Sequence, residues 1–155
     1  MADTRPHLRP YLATYDGVSI AEWSYLAGIV DGEGSFYVCY DKRNDNYFLE
    51  MSVANTARSL IDWLKDHFGG TEKPSGQSRR MGCPSQWAWV VRGRKAEPII
   101  LRILPYLVIK RRQADLALEF IGTYNASLDK ASANEVRSRI KSEISGQNCL
   151  KGKAR

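Results

Sequence analysis

The feature that most constrains the fold of this chain is a helix near the N-terminus that leads directly into an alternating strand. Ser19 and Glu22 have the spacing of a capping box, in which each side chain accepts a hydrogen bond from the other residue's backbone N–H. The pattern predicts a helix over residues 20–31, which Gly32 and Gly34 end. The first strand therefore starts within a few residues of the end of this helix.

Two alternating segments follow the helix. Residues 35–41 and 47–54 flank a turn-like stretch, residues 42–46, so they predict a β-hairpin. Because successive side chains of a strand point to opposite faces, the segments have one mainly apolar face and one mixed face. The apolar set is Phe36, Val38, Tyr40, Tyr47, Leu49, Met51 and Val53, and the mixed set is Ser35, Tyr37, Cys39, Asp41, Phe48, Glu50 and Ser52.

The rest of the chain repeats this order of elements. We expect a helix over residues 56–68, strands over 71–75 and 86–92 with a Gly-, Ser-, Pro- and Arg-rich loop between them, helices over 95–104, 111–124 and 131–144, and a loose basic tail from residue 145. The order predicts an α+β fold with one antiparallel sheet and helices on one of its faces. The predicted domain covers residues 19–126, between an extension (1–18) and a C-terminal helix with the tail (127–155). The open sheet face is a candidate binding surface, or it simply faces water.

Charge is distributed unevenly along the chain. The net charge is +6, but residues 1–77 hold 7 basic and 11 acidic residues, whereas residues 78–155 hold 16 basic and 6 acidic residues. A basic domain with a pI near 9.3 favours a polyanionic partner such as nucleic acid. A solvated basic surface is the alternative.

Other classes of protein fit the sequence poorly. Three cysteines without a CxxC pair (Cys39, Cys83 and Cys149) share no metal-ligand spacing with His7 or His67, so neither a zinc site nor a disulfide framework is expected. No apolar run approaches the ~20 residues that a membrane span needs, and the polar N-terminus lacks the apolar core of a secretory signal. We therefore expect an intracellular protein that does not bind membranes.

The first predicted helix has two stripes. Trp23, Leu26 and Val30 form a core-facing stripe. A second stripe contains small side chains and would let another helix approach closely, either from this chain or from a second copy. This second stripe consists of Ser24, Ala27, Gly28 and Asp31.

The end of this helix breaks a local rule. Asp31 and Glu33 lie at the negative end of the helix dipole, where each acid is disfavoured by roughly 0.3–1 kcal/mol. No basic residue lies between Glu22 and Lys42 to offset them. A divalent cation would resolve the conflict, because Mg²⁺ typically binds one or two carboxylates. The alternative is that Asp31 is a cap and Glu33 a solvated turn residue.

The residues around these acids closely resemble the LAGLIDADG motif of homing endonucleases. The match is Tyr25-Leu26-Ala27-Gly28-Ile29-Val30-Asp31-Gly32-Glu33-Gly34-Ser35-Phe36. Downstream, Leu104-Pro105-Tyr106-Leu107 with Lys110 and Gln113 is similar to the second landmark of that family. The predicted αββαββα order is also that of the family, and the resemblance covers residues 20–124.

The resemblance implies a metal-dependent DNA endonuclease. Glu33 and the Gly32 carbonyl would bind Mg²⁺, with Mn²⁺ able to replace it and Ca²⁺ supporting binding without cleavage. Only one motif is present, so we expect a homodimer through Ser24, Ala27, Gly28 and Asp31. Its two sheets would form a saddle over double-stranded DNA at a long, nearly palindromic site.

The resemblance also implies roles for other side chains. Lys110 would lie near the scissile phosphate, unless it is a solvated member of the run Lys110-Arg111-Arg112. Asn55 would order water at the active site, unless it caps the second helix. The expected DNA contacts are Tyr37, Cys39, Asp41, Arg43, Asn46, Phe48, Glu50, Ser52, Lys73, Ser75, Gln86 and Arg112.

Two rival functions remain at this point. The same fold serves in RNA maturases and DNA-binding regulators that have lost the metal site, although Glu33 is retained here. The motif could also match by chance in an unrelated basic domain. The resemblance leaves the compartment open between an organelle and a prokaryotic cytoplasm.

Overall fold

The structure, a computed structural model, describes residues 14–15, 17–75 and 86–150. The Gly-, Ser-, Pro- and Arg-rich loop, most of the N-terminal extension and residues 151–155 lie outside the described residues. The strands are β1 (Thr14–Tyr15), β2 (Val18–Ser19), β3 (Gly34–Asp41), β4 (Asn46–Asn55), β5 (Thr71–Ser75) and β6 (Gln86–Arg92). The helices are α1 (Ile20–Glu33), α2 (Arg58–Phe68), α3 (Glu97–Ile103), α4 (Arg111–Gly122) and α5 (Lys130–Leu150), with short 3-10 turns at Gly93–Ala96 and Leu104–Tyr106.

Four of the strands form one antiparallel sheet in the order β3-β4-β6-β5, as an α+β fold requires. Its apolar face is the predicted one, because Phe36, Val38, Leu49, Met51 and Val53 are all buried. Helix side chains complete a single core on that face. The sequence analysis predicts no helix against the opposite face, which has the mixed set of side chains.

Helix α1 begins where the capping box predicts. The Ser19 hydroxyl accepts the N–H of Glu22 at 3.2 Å, and the Glu22 carboxylate accepts the N–H of Ser19 at 2.7 Å. The hydrogen bonds that the Ser19 N–H and hydroxyl donate to the Glu22 carboxylate lower the pKa of Glu22. A cap of this kind contributes about 1 kcal/mol to helix stability. The N-terminus of the motif helix is therefore fixed independently of its C-terminus.

The C-terminal part of the chain differs from the sequence prediction. The predicted helix over residues 95–104 is a 3-10 turn, a short α3 and a second 3-10 turn, because Pro98 and Pro105 lack an N–H donor. The tail is not loose from residue 145, since α5 continues to Leu150. Tertiary contacts extend it: Ile144 is buried in the core, and the Asn148 side-chain amide donates to the Phe36 carbonyl at 3.3 Å.

Helix α5 lies beside β3, which is an edge strand of the sheet. An edge strand presents unpaired backbone groups that can pair with other chains. The Asn148 amide donates a hydrogen bond to a carbonyl of this strand. At the other end of α5, Lys130 pairs with Asp45 in the β3–β4 turn at 3.2 Å. The helix therefore contacts this edge at both of its ends. No helix in the described part of the chain is long and apolar enough to cross a membrane.

Candidate active site and nucleic-acid interface

The last turn of α1 positions Glu33 and Gly32 at the surface. Both residues are exposed, and β3 begins at the next residue. The N–H of Gly34 bonds to the Val30 carbonyl. A Cβ at Gly34 would lie 2.7 Å from both Cα and the carbonyl oxygen of Val30, so only glycine fits there. The helix thus turns into the strand without a spacer, which fixes the position of the Glu33 backbone.

Asp31 has a different environment from Glu33. Its carboxylate accepts the backbone N–H groups of Val108, Ile109 and Lys110 at 2.7, 3.2 and 2.9 Å. These residues directly precede α4, and Lys110 is its N-cap, so Asp31 fixes the segment that leads into α4 against the end of α1. The predicted conflict at Asp31 is therefore resolved by backbone donors and needs no cation.

Lys110 returns a contact to α1. Its ammonium group donates to the Val30 carbonyl at 2.6 Å and also to the Gly34 carbonyl. Lys110 is only 5% exposed, so it is not a solvated member of its basic run. A cation at the C-terminal end of a helix is favourable because it complements the dipole. Asp31 and Lys110 together form a clasp, which we call the α1–α4 clasp, on either side of Glu33. The predicted contact of Lys110 with a phosphate stays a prediction.

The oxygen atoms of Glu33 and Gly32 are suitable ligands for a hard divalent cation. Among the described residues, none bonds or pairs with the Glu33 carboxylate. Carboxylate and carbonyl oxygens, such as those of Glu33 and Gly32, are ligands that Mg²⁺ prefers. No cluster of three or more acidic, His or Cys side chains occurs in the described parts of the chain. A metal at Glu33 would therefore draw further ligands from water, from a substrate or from a second copy.

The free face of α1 differs from the predicted stripe. Ala27 is 0% exposed within the protomer core, so its side chain is not available to a partner, whereas Asp31 is half-buried and its carboxylate is held in the α1–α4 clasp. Ser24 is half-buried and bonds to the Ile20 carbonyl at 2.8 Å. Gly28 remains exposed. The exposed residues of the helix between its ends are Ala21, Tyr25, Gly28 and Gly32.

The open face of the sheet has a floor of small side chains in its middle. The strand register places Ser35, Ser52, Ala54, Ala88 and Val90 there. The predicted contacts Tyr37, Cys39, Asp41, Phe48, Lys73 and Ser75 are half-buried on this side, and Gln86 is exposed at its end. Arg43 and Asn46 are exposed at the β3–β4 turn. The structure therefore brings most of the predicted contacts onto one surface.

Some predicted residues are placed differently. Glu50 and Ser52 are buried despite facing the open side, so neither presents an unobstructed group to a ligand. Arg112 lies on α4 and pairs with Glu143 of α5 at 3.1 Å, in the helix layer. The Asn55 side-chain oxygen accepts the N–H of Ala57 at 2.8 Å, which is a turn before α2. The proposed water-ordering role of Asn55 stays a prediction.

Arg92 is a residue that the sequence reasoning missed. It lies directly opposite Glu50 on the neighbouring strand, and its side chain is 55% exposed on the open face. The signal was present in the sequence. Trp87, Trp89 and Val91 point into the core, so strict alternation places Arg92 outward.

This fold is that of the LAGLIDADG homing endonucleases. The I-CvuI homing endonuclease in complex with its target matches with a TM-score of 0.70 and 20% identity, over 83% of this chain and 82% of that one. The archaeal intron-encoded I-Vdi141I, complexed with DNA, matches with a TM-score of 0.68 and 18% identity, over 82% and 84%. I-SmaMI bound to uncleaved DNA has a TM-score of 0.63 and 22% identity over 79% of this chain, but only 44% of its own. No family model and no curated protein matches the sequence.

Proposed function

We propose that the protein is a site-specific, metal-dependent DNA endonuclease that acts as a homodimer. The observation that supports this most directly is the division of work between the two motif acids. Asp31 accepts three backbone N–H groups within the protomer, whereas Glu33, at the end of the same helix, is exposed and has no hydrogen bond or ion pair with the described residues. An acid kept free at an energetically unfavourable position is typical of a functional site.

The homodimer is supported by length and by α1. The chain spans most of I-CvuI and I-Vdi141I but 44% of I-SmaMI, so it supplies one unit where the longer chain has room for two. Gly28 and Gly32 leave open space on the exposed side of α1, which suits a second helix. Two copies related by a twofold axis would bring two Glu33 carboxylates together and favour a nearly palindromic site.

The residues of this chain have distinct parts in the proposed reaction. Mg²⁺ bound by Glu33 would activate water and stabilise the leaving oxygen of each strand. The α1–α4 clasp holds the Glu33 turn in place, and the open sheet faces bind the duplex in its major groove. I-CvuI was crystallised with its target in calcium and with DNA in magnesium, which is consistent with a divalent cation here.

Selection from a randomised duplex library tests this function. We expect Mg²⁺-dependent cutting of both strands at one enriched, nearly palindromic sequence, and no cutting by Glu33→Gln. Enrichment of bound DNA without any cutting in Mg²⁺ or Mn²⁺ would contradict the proposal and favour a DNA-binding regulator. Absence of DNA binding together with tight binding to a structured intron RNA would favour a maturase.

A further inference from the structure

A carboxylate lies in the middle of the surface that would face DNA. Glu50 is on β4, directly opposite Tyr37 on β3 and Arg92 on β6. Its side chain is only 2% exposed, although it points to the open side. A buried carboxylate is costly unless it is paired, and an anion on a polyanion-binding surface also opposes binding. Its presence therefore calls for a specific role.

Three side chains from three different strands bind this carboxylate. Arg92 Nε donates to Glu50 Oε2 at 2.6 Å, and Lys73 Nζ donates to Oε1 at 2.8 Å. The Tyr37 hydroxyl donates to the same Oε1. Tyr37, Glu50, Lys73 and Arg92, here called the Glu50 cluster, thus connect all four strands of the sheet. Charge-assisted hydrogen bonds of this kind are short and strong, so they fix the orientation of the cations.

The ionisation of Glu50 agrees with this pairing. Burial raises the pKa of the Glu50 carboxyl, but hydrogen bonds from Lys73, Tyr37 and Arg92 lower it by more, so the net pKa is below its usual value. Burial and the neighbouring Glu50 in turn raise the pKa of the Tyr37 hydroxyl, which therefore remains a donor. The cluster has two cations and one anion, and it keeps one net positive charge.

The geometry leaves the outer donors of Arg92 available. Within the described part of the chain, its guanidinium bonds to Glu50 through Nε, and its Cζ lies 5.8 Å from the centre of the Phe48 ring. A guanidinium held through Nε still presents its two Nη groups as a fork. A fixed fork suits the paired O6 and N7 acceptors of guanine in the major groove.

Resting on the proposed function, we propose that Arg92 reads a guanine in each half-site and that Glu50 is the positioning residue that orients it. A phosphate contact would need charge but no fixed orientation, and Glu50 reduces the charge. Lys73, a compact ammonium in the same cluster, is the member that contacts the backbone phosphate. Glu50 therefore acts through Arg92 and does not itself contact a base.

The experiment is selection of bound sites from a randomised duplex library in Ca²⁺, followed by binding titrations on the selected site. The variants are Arg92→Ala, Arg92→Lys, Glu50→Gln and Lys73→Ala. Arg94→Ala is the matched control, because Arg94 is an exposed arginine outside the Glu50 cluster that bonds to the Tyr124 carbonyl at 2.9 Å. Thermal melting of each variant checks that it is folded.

We expect the parent to prefer guanine by roughly five- to hundredfold at one position and its symmetry mate. Arg92→Ala and Arg92→Lys should lose this preference at that position alone, and Glu50→Gln should weaken it there with little change elsewhere. Lys73→Ala should lower affinity for all sequences equally, and Arg94→Ala should retain the guanine preference.

Other outcomes would overturn the inference. If Arg92→Ala lowers affinity uniformly and keeps the parental profile, Arg92 is a phosphate contact. If folded Glu50→Gln keeps the full guanine preference, Glu50 does not position Arg92. A parent that enriches no DNA sequence at all would instead contradict the proposed function, so the two failures are distinguishable.

Discussion

At the scale of single residues, the two acids at the end of α1 have different functions. Asp31 accepts three backbone N–H groups, whereas Glu33 is exposed and bonded by none of the described residues. Removing the Asp31 carboxylate would take the acceptor from three backbone N–H groups, and that of the buried Lys110 would be left unpaired, which costs about 1–3 kcal/mol. Removing the Glu33 charge should cost nothing in stability, because an acid at this end of a helix is unfavourable.

Glu33→Gln is therefore expected to abolish cleavage while the melting temperature stays equal or rises slightly. Binding to a selected DNA site in Ca²⁺ should fall less than cleavage does. Asp31→Ala is the matched comparison and should lower the melting temperature clearly. Strong residual cutting by purified, folded Glu33→Gln would show that Glu33 is not the metal ligand.

Lys110→Met removes the ammonium group from the α1–α4 clasp and keeps most of the length of the side chain. Two carbonyls lose a hydrogen bond, although the Val30 carbonyl keeps the one from the Gly34 N–H, so we expect a loss of about 1–3 kcal/mol, or about 2–4 °C of melting temperature per kcal/mol. The Glu33 turn should shift, and a misplacement of ~1 Å can lower a rate on the order of 10²-fold. Single-turnover cleavage and melting should therefore change together. A slower rate at an unchanged melting temperature would assign the ammonium group to the phosphate instead.

The sequence identifies the residues of this site better than their contacts. Glu33 and Gly32 are found from the motif, because local glycines and acids define it. The partners of Asp31 cannot be found from the motif, because residues 108–110 lie 77 to 79 positions away. They donate through backbone N–H groups, which no side-chain pattern indicates. The burial of Glu50, a predicted DNA contact, could not be found from the sequence for a similar reason, because it depends on Lys73 and Arg92 from other strands.

At the scale of elements, the exposed side of α1 has two glycines that would let another helix pack closely against it. Gly28 and Gly32 each have no neighbour within 4 Å of an added Cβ, whereas Gly34 has backbone atoms at 2.7 Å. A glycine inside a helix costs about 1 kcal/mol relative to alanine. Nothing within the described protomer requires Gly28, which supports the proposed helix partner.

Gly28→Leu separates folding from dimerisation. The protomer has room for the side chain and should gain helix stability, but a tight helix pair should lose about 1–3 kcal/mol through overpacking. We expect sedimentation velocity to show folded monomers without cleavage activity. Gly122→Leu is the control, because Gly122 also has open space and lies on α4. A dimer of unchanged stability for Gly28→Leu would exclude this interface.

Periodicity predicted most elements but not their ends. The alternation of residues 34–55 and the apolar spacing of α2 and α4 are local patterns, and the structure confirms them. The last turns of α5 have no such pattern, since residues 145–148 are polar or glycine and owe their helical form to contacts with the core and β3. The two-residue strands β1 and β2 are too short to give a periodic signal.

At the scale of the whole molecule, much of the basic charge is already paired. Arg139 pairs with Glu119 and Glu143, Arg112 with Glu143, and Lys130 with Asp45. These exposed pairs contribute little to stability, but they reduce the charge that the helix layer offers to phosphates. The 23 Lys and Arg residues of the chain thus overstate the number of cations that are free to contact DNA.

The salt dependence of DNA binding should reflect this distribution. Each phosphate that the protein neutralises adds roughly 0.9 to the slope of log K against log salt. Lys73→Ala should lower the slope by about one phosphate contact, whereas a combined Arg112→Gln, Arg139→Gln variant should leave it unchanged. Titrations at four or five salt concentrations would measure both. A large drop in the slope for the helix-layer variant would instead place the DNA on the helix side of the sheet.

The α1–α4 clasp also has a consequence for the chain while it is still being translated. Its hydrogen bonds join groups that are 76 to 80 positions apart, so they form only after residues 108–110 have been synthesised. At ordinary rates of translation, the motif leaves the ribosome roughly 4–15 s before residue 110 does. During that interval the Glu33 turn lacks the donors that hold it. If the protein cuts DNA as proposed, we expect a nascent chain, or one that ends before residue 108, to cut no DNA even when it contains the entire motif.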